Sequence, residues 1–250
     1  MSIAARTFGV ARSVAMYYGI PLRARRLRRF YSQFVTRGSL CFDVGAHAGN
    51  RVRCWRQLGA QVVAIEPQPD FVRLLNLLYG RDRHVTVVPI ALGREPGHAE
   101  IYVSERTPTV TTLSREWVEG VSRDPRFAGV AWSPGKRVEL RTIEQLIESF
   151  GVPEFVKIDV EGFEAEVLAG LKTPVRGLSF EYLPAARGVA FECIDRLAEL
   201  GRYRYNWSPG ESHRLTEPHW LDSARMRAWL AEQPLDAPSG DVYAVRDSGG

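Results

Sequence analysis

Leu40-Cys41-Phe42-Asp43-Val44-Gly45-Ala46-His47-Ala48-Gly49-Asn50 is a short apolar run that ends in an acid, passes two glycines four positions apart and enters a helical pattern. Glycine at such a strand end lets the backbone approach a ligand closely, and in a doubly wound sheet ligands bind outside the carboxyl ends of the strands. The alternation continues downstream. Helix Asn50 to Leu58 is followed by strand Val62 to Glu66, helix Asp70 to Tyr79 and strand Val85 to Val88. Short β-rich runs alternating with helical stretches predict a mostly parallel sheet with helices on both faces.

Beyond Val88 the order changes. His98 to Ser104 and Arg137 to Leu140 read as extra strands around a loop-rich segment, Glu105 to Lys136, that contains Trp117 and Trp132. Inserts of that length with no period of their own tend to be lids or binding loops. The α/β pattern then resumes with helix Thr142 to Phe150, strand Phe155 to Val160, helix Phe163 to Leu171, strand Leu178 to Leu183 and helix Ala190 to Leu200. Two last β runs, Tyr203 to Trp207 and Val242 to Arg246, enclose a second insertion whose helix is expected to start with Asp222 as its cap. The domain reading is a basic helical arm over residues 1–38 and one α/β domain over 39–247, with a lid-like insertion at 105–136 and another at 208–241.

A chain of 250 residues, 45% hydrophobic and 25% charged, can bury a sizeable core, which excludes disorder as the main state. Its net charge of +4 is unevenly spread. The first 42 residues hold eight arginines and no acid, whereas the other 208 carry 25 basic against 29 acidic side chains, a net −4. That balance excludes a wholly basic coat for nucleic acid, and no nucleic-acid partner is expected. The apolar run Val14 to Leu22 is interrupted by Gly19, is too short to cross a bilayer and lacks a cleavage site. Cys41, Cys54 and Cys193 are scattered with no CxxC pair, as expected of buried thiols in a reducing cytoplasm. The expected location is therefore cytoplasmic. Oligomeric state has no signal in the sequence. In the arm, Leu27, Phe30, Tyr31, Phe34 and Val35 recur at helical spacing and mark one apolar face. The arginines beside them either stay in water while that face packs on the domain, the preferred reading, or meet an anionic membrane surface or a phosphorylated glycolipid.

The chemistry begins at the strand ends. Glu66 closes the second strand 21 residues after Gly45, the spacing of a carboxylate that accepts hydrogen bonds from ribose hydroxyls. Both NAD(P) and S-adenosylmethionine need such an acid. A pyrophosphate wants a GxGxxG turn free of competing negative charge. Here the pattern is DxGxxxG with Asp43 beneath the turn, which repels pyrophosphate and suits a cationic methyl donor. The fourth strand runs Phe155-Val156-Lys157-Ile158-Asp159-Val160-Glu161-Gly162-Phe163-Glu164 and delivers Asp159 and Glu161 to the same sheet edge.

At this segment the sequence resembles the FkbM-type family of S-adenosylmethionine-dependent methyltransferases, whose hallmark is a strand running into Asp-Val-Glu-Gly and a Glu-containing helix. The Asp-Val-Gly-Ala start at Asp43, Glu66-Pro67, Ala91-Leu92 and Thr112-Leu113 match in the same order, and Glu181 resembles the family's acid after the fifth strand. The likeness covers roughly Leu40 to Leu183. It implies a class I methyltransferase, Rossmann-like fold with a seven-stranded sheet closed by an antiparallel pair. It also implies O-methylation of a sugar, glycolipid or other natural-product hydroxyl. Cofactor contacts fall on Asp43, Gly45, His47, Gly49, Asn50, Glu66, Ala91 and Asp159. His47 departs from the Asn usual in the family.

Methyl transfer to an alcohol needs an oriented acceptor and a base for its proton. The catalytic candidates are Asp159, Glu161 and Glu181, with His47 and His213 as the histidine alternatives. Glu161 has a second reading as a cap on the helix near Phe163. Glu164 and Glu166 read as solvated or ion-paired, and His213 as exposed. Trp117 and Trp132 read equally as an acceptor wall or as packing, Trp55, Trp207, Trp220 and Trp229 as packing. A divalent metal on Asp159 and its neighbours has no firm ligand spacing behind it. The alternative from another class is a non-catalytic nucleotide-binding adaptor on the same fold. An NAD(P) oxidoreductase is disfavoured by the missing GxGxxG.

Overall fold

The computed structural model describes residues 21–104, 111–114, 117–119, 130 and 132–247. Most of the run Val14 to Leu22 and most of the 105–136 insertion thus lie outside the described residues. Helix α1 (Pro21–Tyr31) precedes β1 (Leu40–Val44), α2 (Asn50–Gln57), β2 (Gln61–Ile65), α3 (Pro69–Tyr79) and β3 (Val85–Val88). Then come β4 (Ala91–Leu92), β5 (Gly97–Val103), β6 (Ser133–Arg141), α4 (Ile143–Phe150), β7 (Phe155–Ile158) and α5 (Glu164–Ala169). The chain finishes with β8 (Gly177–Tyr182), α6 (Arg187–Leu200), β9 (Tyr203–Pro209), α7 (Ser223–Glu232) and β10 (Gly240–Arg246).

Seven strands form one sheet in the order β3-β2-β1-β7-β8-β10-β9. The strands from β3 to β8 run parallel, while β10 is antiparallel to both β8 and β9. That is the class I methyltransferase arrangement expected from the sequence. The order reverses between β1 and β7, so the crevice for a ligand lies at their carboxyl ends. Strands β1, β2 and β7 are buried on both faces, which explains their near-continuous apolar runs. Helices α4, α6 and α7 cover one face of the sheet with Ile143, Leu146, Ile194, Leu197, Met226 and Leu230. Helices α1, α2 and α3 cover the other with Leu27, Phe30, Tyr31, Val52, Trp55 and Leu75.

The two extra strands of the sequence reading pair with each other in a separate sheet of order β4-β6-β5. The two-residue β4 carried too short a signal to be read, and β6 begins at Ser133 rather than Arg137. The Tyr102 and Thr112 backbones bridge, so the insertion pairs with β5 at Thr112. Thr142 and Gln145 cap α4 reciprocally, and Asp222 caps α7 by accepting from the Arg225 amide.

The arm helix is part of the core. Phe30 and Phe34 lie 5.0 and 5.5 Å from the Tyr243 ring, and Tyr31 lies 5.4 Å from Trp55. Arg25, Arg26, Arg28 and Arg29 stay exposed. All three cysteines are buried and unpaired.

Candidate active site

The β1 turn is shaped by backbone geometry. Gly45 has φ +80°, and its amide and that of Ala46 both donate to the Ile65 carbonyl at 3.0 Å. A Cβ at Gly45 would stand 2.0 Å from the Asp159 carbonyl, so only glycine lets the end of β7 pass this close. His47 also has positive φ, +49°. His is among the residues that best tolerate that region.

Glu66 stands at the end of β2, 2% exposed. One carboxylate oxygen accepts from the His47 amide and the other from the Gln68 amide, each at 2.8 Å. Burial pushes its pKa up to about 7, against the pull of those two amides. Each oxygen keeps lone-pair capacity for a further donor. Gly45, His47, Asn50, Glu66 and Ala91 line a cleft together with Asp159 and Glu161. Ile65, Ile90, Leu92 and Leu113 give it apolar walls.

Two of the expected cofactor contacts lie off this cleft. Asp43 is sealed beneath the turn at 1% exposure, with the Val52 amide the backbone donor nearest its carboxylate. Burial raises its pKa to about 6, opposed by Arg51 and reinforced by Asp159. Gly49 serves packing instead: a Cβ there would meet Leu75 at 2.8 Å, and the Tyr79 hydroxyl donates to its carbonyl.

The second half of the site is the turn after β7. Glu161 and Gly162 are both left-handed, with φ +53° and +87°. A glutamate in that region is uncommon and costs about 1 kcal/mol or more unless its surroundings hold it. Three contacts do so. The Thr112 hydroxyl donates to the Glu161 carbonyl at 2.6 Å. The Glu164 carboxylate accepts from the Val160 and Gly162 amides at 3.1 and 3.2 Å. Trp117 lies against Gly162, where a Cβ would come within 2.1 Å of the indole. Glu164 is therefore the residue that satisfies the turn, buried at 2% rather than solvated, and Glu161 is not the cap of α5. Glu166 pairs with Arg94, as expected.

Asp159, Glu161 and Glu181 converge, with one oxygen from each within 4.8 Å of the others. This is the cluster among the described residues that could hold a cation. The three differ in kind. Asp159 lies 3.4 Å from Lys157 Nζ and 3.5 Å from Arg51. Burial works against its charge, but these two cations outweigh it and hold its pKa below the ordinary carboxylate range. Glu161 is pushed well above that range by burial and then by Glu181, and Glu181 likewise by burial and then by Asp159. No described residue donates a hydrogen bond to either side chain.

Beneath them lies an ion network that sequence reading missed. Lys157 is fully buried and donates to Asp241 at 2.8 Å and to the Ile158 carbonyl at 3.0 Å. Tyr243 donates to the same aspartate. Arg51 spans Asp159 and Glu211, and His213 pairs with Glu211 at 3.1 Å. His213 is buried, not exposed, because the loop after β9 folds under Phe30. His47 is held neutral, its pKa lowered to about 4 by burial beside Phe71. Trp117 and Trp132 meet edge-on at 6.1 Å, Trp207 stacks on Trp229, and Trp55 is core.

A relative in Haloferax volcanii, hexuronic acid methyltransferase AglP, is 29% identical over 160 residues. The aligned part is 62% of this chain and 59% of that protein, so the chain spans about three-fifths of the relative's length. Among solved structures, a TehB-like SAM-dependent methyltransferase from Corynebacterium glutamicum is similar over 89% of this chain and 88% of its own, with 9% identity and a TM-score of 0.47. Fibrillarin from Aeropyrum pernix, in complex with natively bound S-adenosyl-L-methionine, is similar over 85% of this chain and 68% of its own, with 13% identity and a TM-score of 0.45. The methyltransferase FkbM domain matches residues 43–205, reaching past the Leu183 limit of the motif likeness. That match spans 163 of the 250 residues, and the chain belongs to the FkbM methyltransferase domain family.

Proposed function

We propose that the protein is an S-adenosylmethionine-dependent O-methyltransferase acting on a sugar-type hydroxyl, with Glu161 as the base. The observation that carries this reading is the charge arrangement of the cleft: Glu66, Asp159 and Glu161 line it, Arg51 is the one cation among the described lining residues, and His47 is neutral. Such a lining opposes a pyrophosphate and favours a cationic ligand. Glu66 would hold the ribose hydroxyls, while Ile65, Ile90, Leu92 and Leu113 would take the adenine. When bound, S-adenosylmethionine supplies an electrophilic methyl group at this sheet edge.

The chain's own part is to orient and deprotonate the acceptor. Asp159 stays ionised between Lys157 and Arg51, which makes it an anchor and a poor base. Glu161 lines the cleft with no donor to its carboxylate among the described residues, and burial raises its pKa, which makes its ionised form a stronger base than an ordinary carboxylate. Thr112 and Trp117 fix the turn that aims it. The H. volcanii relative is named for a hexuronic acid, which supports a hydroxyl-bearing sugar or glycolipid as acceptor. Glu161→Gln is expected to lower methyl transfer by about 10²- to 10⁴-fold with S-adenosylhomocysteine binding retained. Unchanged turnover in that variant would remove Glu161 from the role.

The arm bears on the partner. Its apolar face is spent on the core, so the exposed Arg25, Arg26, Arg28 and Arg29 support adsorption on an anionic surface without insertion. Among the described residues no helix is long and apolar enough to cross a membrane.

A further inference from the structure

Arg51, in the first turn of α2, lines the cleft with only 9% of its side chain exposed. Its guanidinium is held loosely. Asn50 Oδ1 stands at 3.4 Å, Asp159 at 3.5 Å and Glu211 at 3.9 Å, with the Tyr31 hydroxyl of the arm helix beside it. A well-formed charge-assisted hydrogen bond spans about 2.7–2.9 Å. A guanidinium has five N–H donors, so a buried one with partners this distant keeps capacity for a closer acceptor. Asp159 lines the same cleft, which thus presents a cation and an anion side by side. The sheet order fixes where that pair stands. Glu66 follows β2 and Asp159 follows β7, with β1 and its glycine turn between them. A ligand whose ribose rests on Glu66 and whose chain continues across the β1 turn arrives at Arg51 and Asp159.

We infer that Arg51 and Asp159 form a subsite for the zwitterionic amino-acid end of the methyl donor, in which the guanidinium of Arg51 takes the α-carboxylate and Asp159 faces the ammonium. The inference rests on the methyl-transfer reading above and adds to it how the far end of the donor is recognised. Arg51 stands outside the motifs that carry the family likeness, so the subsite is a property of this chain. A planar guanidinium matches a carboxylate two bonds at a time, which an ammonium cannot do. A lone anion here would meet Asp159 and Glu211, and a lone cation would meet Arg51 and Lys157. A zwitterion satisfies both charges and adds no net charge to the buried network beneath. Glu211 is 51% exposed and has His213 as a nearer partner at 3.1 Å, so it is the resident anion that the ligand carboxylate displaces toward water. Arg51 is thus a specificity-determining residue that selects the intact amino-acid end over a decarboxylated one.

The full chain is titrated by calorimetry with S-adenosylhomocysteine, with its decarboxylated analogue S-adenosyl-3-thiopropylamine, and with 5′-methylthioadenosine, which lacks the whole amino-acid end. S-Adenosylhomocysteine should bind at least about tenfold more tightly than the decarboxylated analogue, the worth of a hydrogen bond between charged groups. In Arg51→Gln that ratio should fall close to one, whereas a purely structural loss would weaken both ligands alike and leave the ratio standing. Arg51→Lys keeps a charge beside Asp159 but not the fork, and should lower the ratio as well. Glu211→Gln removes the competing carboxylate and should hold the ratio or raise it. A ratio of one in the wild-type chain overturns the inference whatever the variants do. So does a ratio unchanged in either Arg51 variant, or one that falls in Glu211→Gln. A chain that binds 5′-methylthioadenosine as tightly as S-adenosylhomocysteine loses only this subsite; a chain that binds none of the three loses the methyl-transfer reading itself.

Discussion

Glu161 is a glutamate in a backbone region that favours glycine, held there by a threonine forty-nine positions earlier in the chain. Its neighbour Glu181 is the largest charged contribution to its raised pKa after burial. The rate of methyl transfer should therefore rise with pH as Glu161 loses its proton. Removing the like charge in Glu181→Gln should move that rising limb to lower pH, because the ionised form of Glu161 becomes easier to reach. A limb that stays in place, measured as kcat/KM against pH, would separate the two acids. The residues at strand ends were legible in the sequence: Glu66, Asp159, Glu161 and Glu181 each follow an apolar run whose direction the alternating pattern defines. Arg51 and Asp241 were not, nor was the hold of Thr112 on the Glu161 turn, because their partners depend on which strands and loops meet in space. Lys157 within an apolar strand was the visible hint, since a buried ammonium needs an anion.

Strand and turn geometry set the roles of the carboxylates at the next scale. Asp159 and Glu161 leave the same strand two positions apart, yet only Asp159 reaches Lys157 and Arg51, and the left-handed turn carries Glu161 away from them. Glu164 secures that turn through one carboxylate oxygen, which an amide can replace. Burial lifts the Glu164 pKa from 4.5 to about 7 in the folded protein. A raised carboxylate pKa means that the folded state binds the proton more tightly than the unfolded one, so stability falls as pH rises through that window. Glu164→Gln removes the titration. It should therefore gain on the wild type between pH 4.5 and about 7, by up to about 3 kcal/mol above it. Denaturant melts at pH 5 and pH 8 measure the difference, and the same gap at both would contradict the assignment. The sequence reading placed Glu164 in water because helix periodicity alone does not reveal that the preceding turn doubles back on the first helical residue.

Over the whole molecule, the parallel, two-faced sheet followed from the alternation of elements and its seven-stranded, antiparallel-closed form from the family resemblance, whereas the small β4-β6-β5 sheet and the docking of the arm required long-range pairing. The +8 arm and the acidic remainder meet at one interface, where Phe30 packs on Tyr243 and His213. Phe30→Ala should cost about 3 kcal/mol or more in stability, a loss that a freely tethered arm would not show. An arm deletion is thus an unfolding experiment, and the anionic-surface reading is better examined with Arg25, Arg26, Arg28 and Arg29 changed to Gln. The central claim is that the cleft above β1 and β2 binds the methyl donor through Glu66. Both Glu66 oxygens accept backbone amides, so Glu66→Gln sets an NH₂ group against one N–H and disturbs the loop that faces the ribose. Titration calorimetry with S-adenosylhomocysteine is expected to show one site in the wild-type chain, about 10- to 100-fold weaker in Glu66→Gln, and no heat with NAD. Binding of NAD in place of S-adenosylhomocysteine, or of neither, would contradict the account.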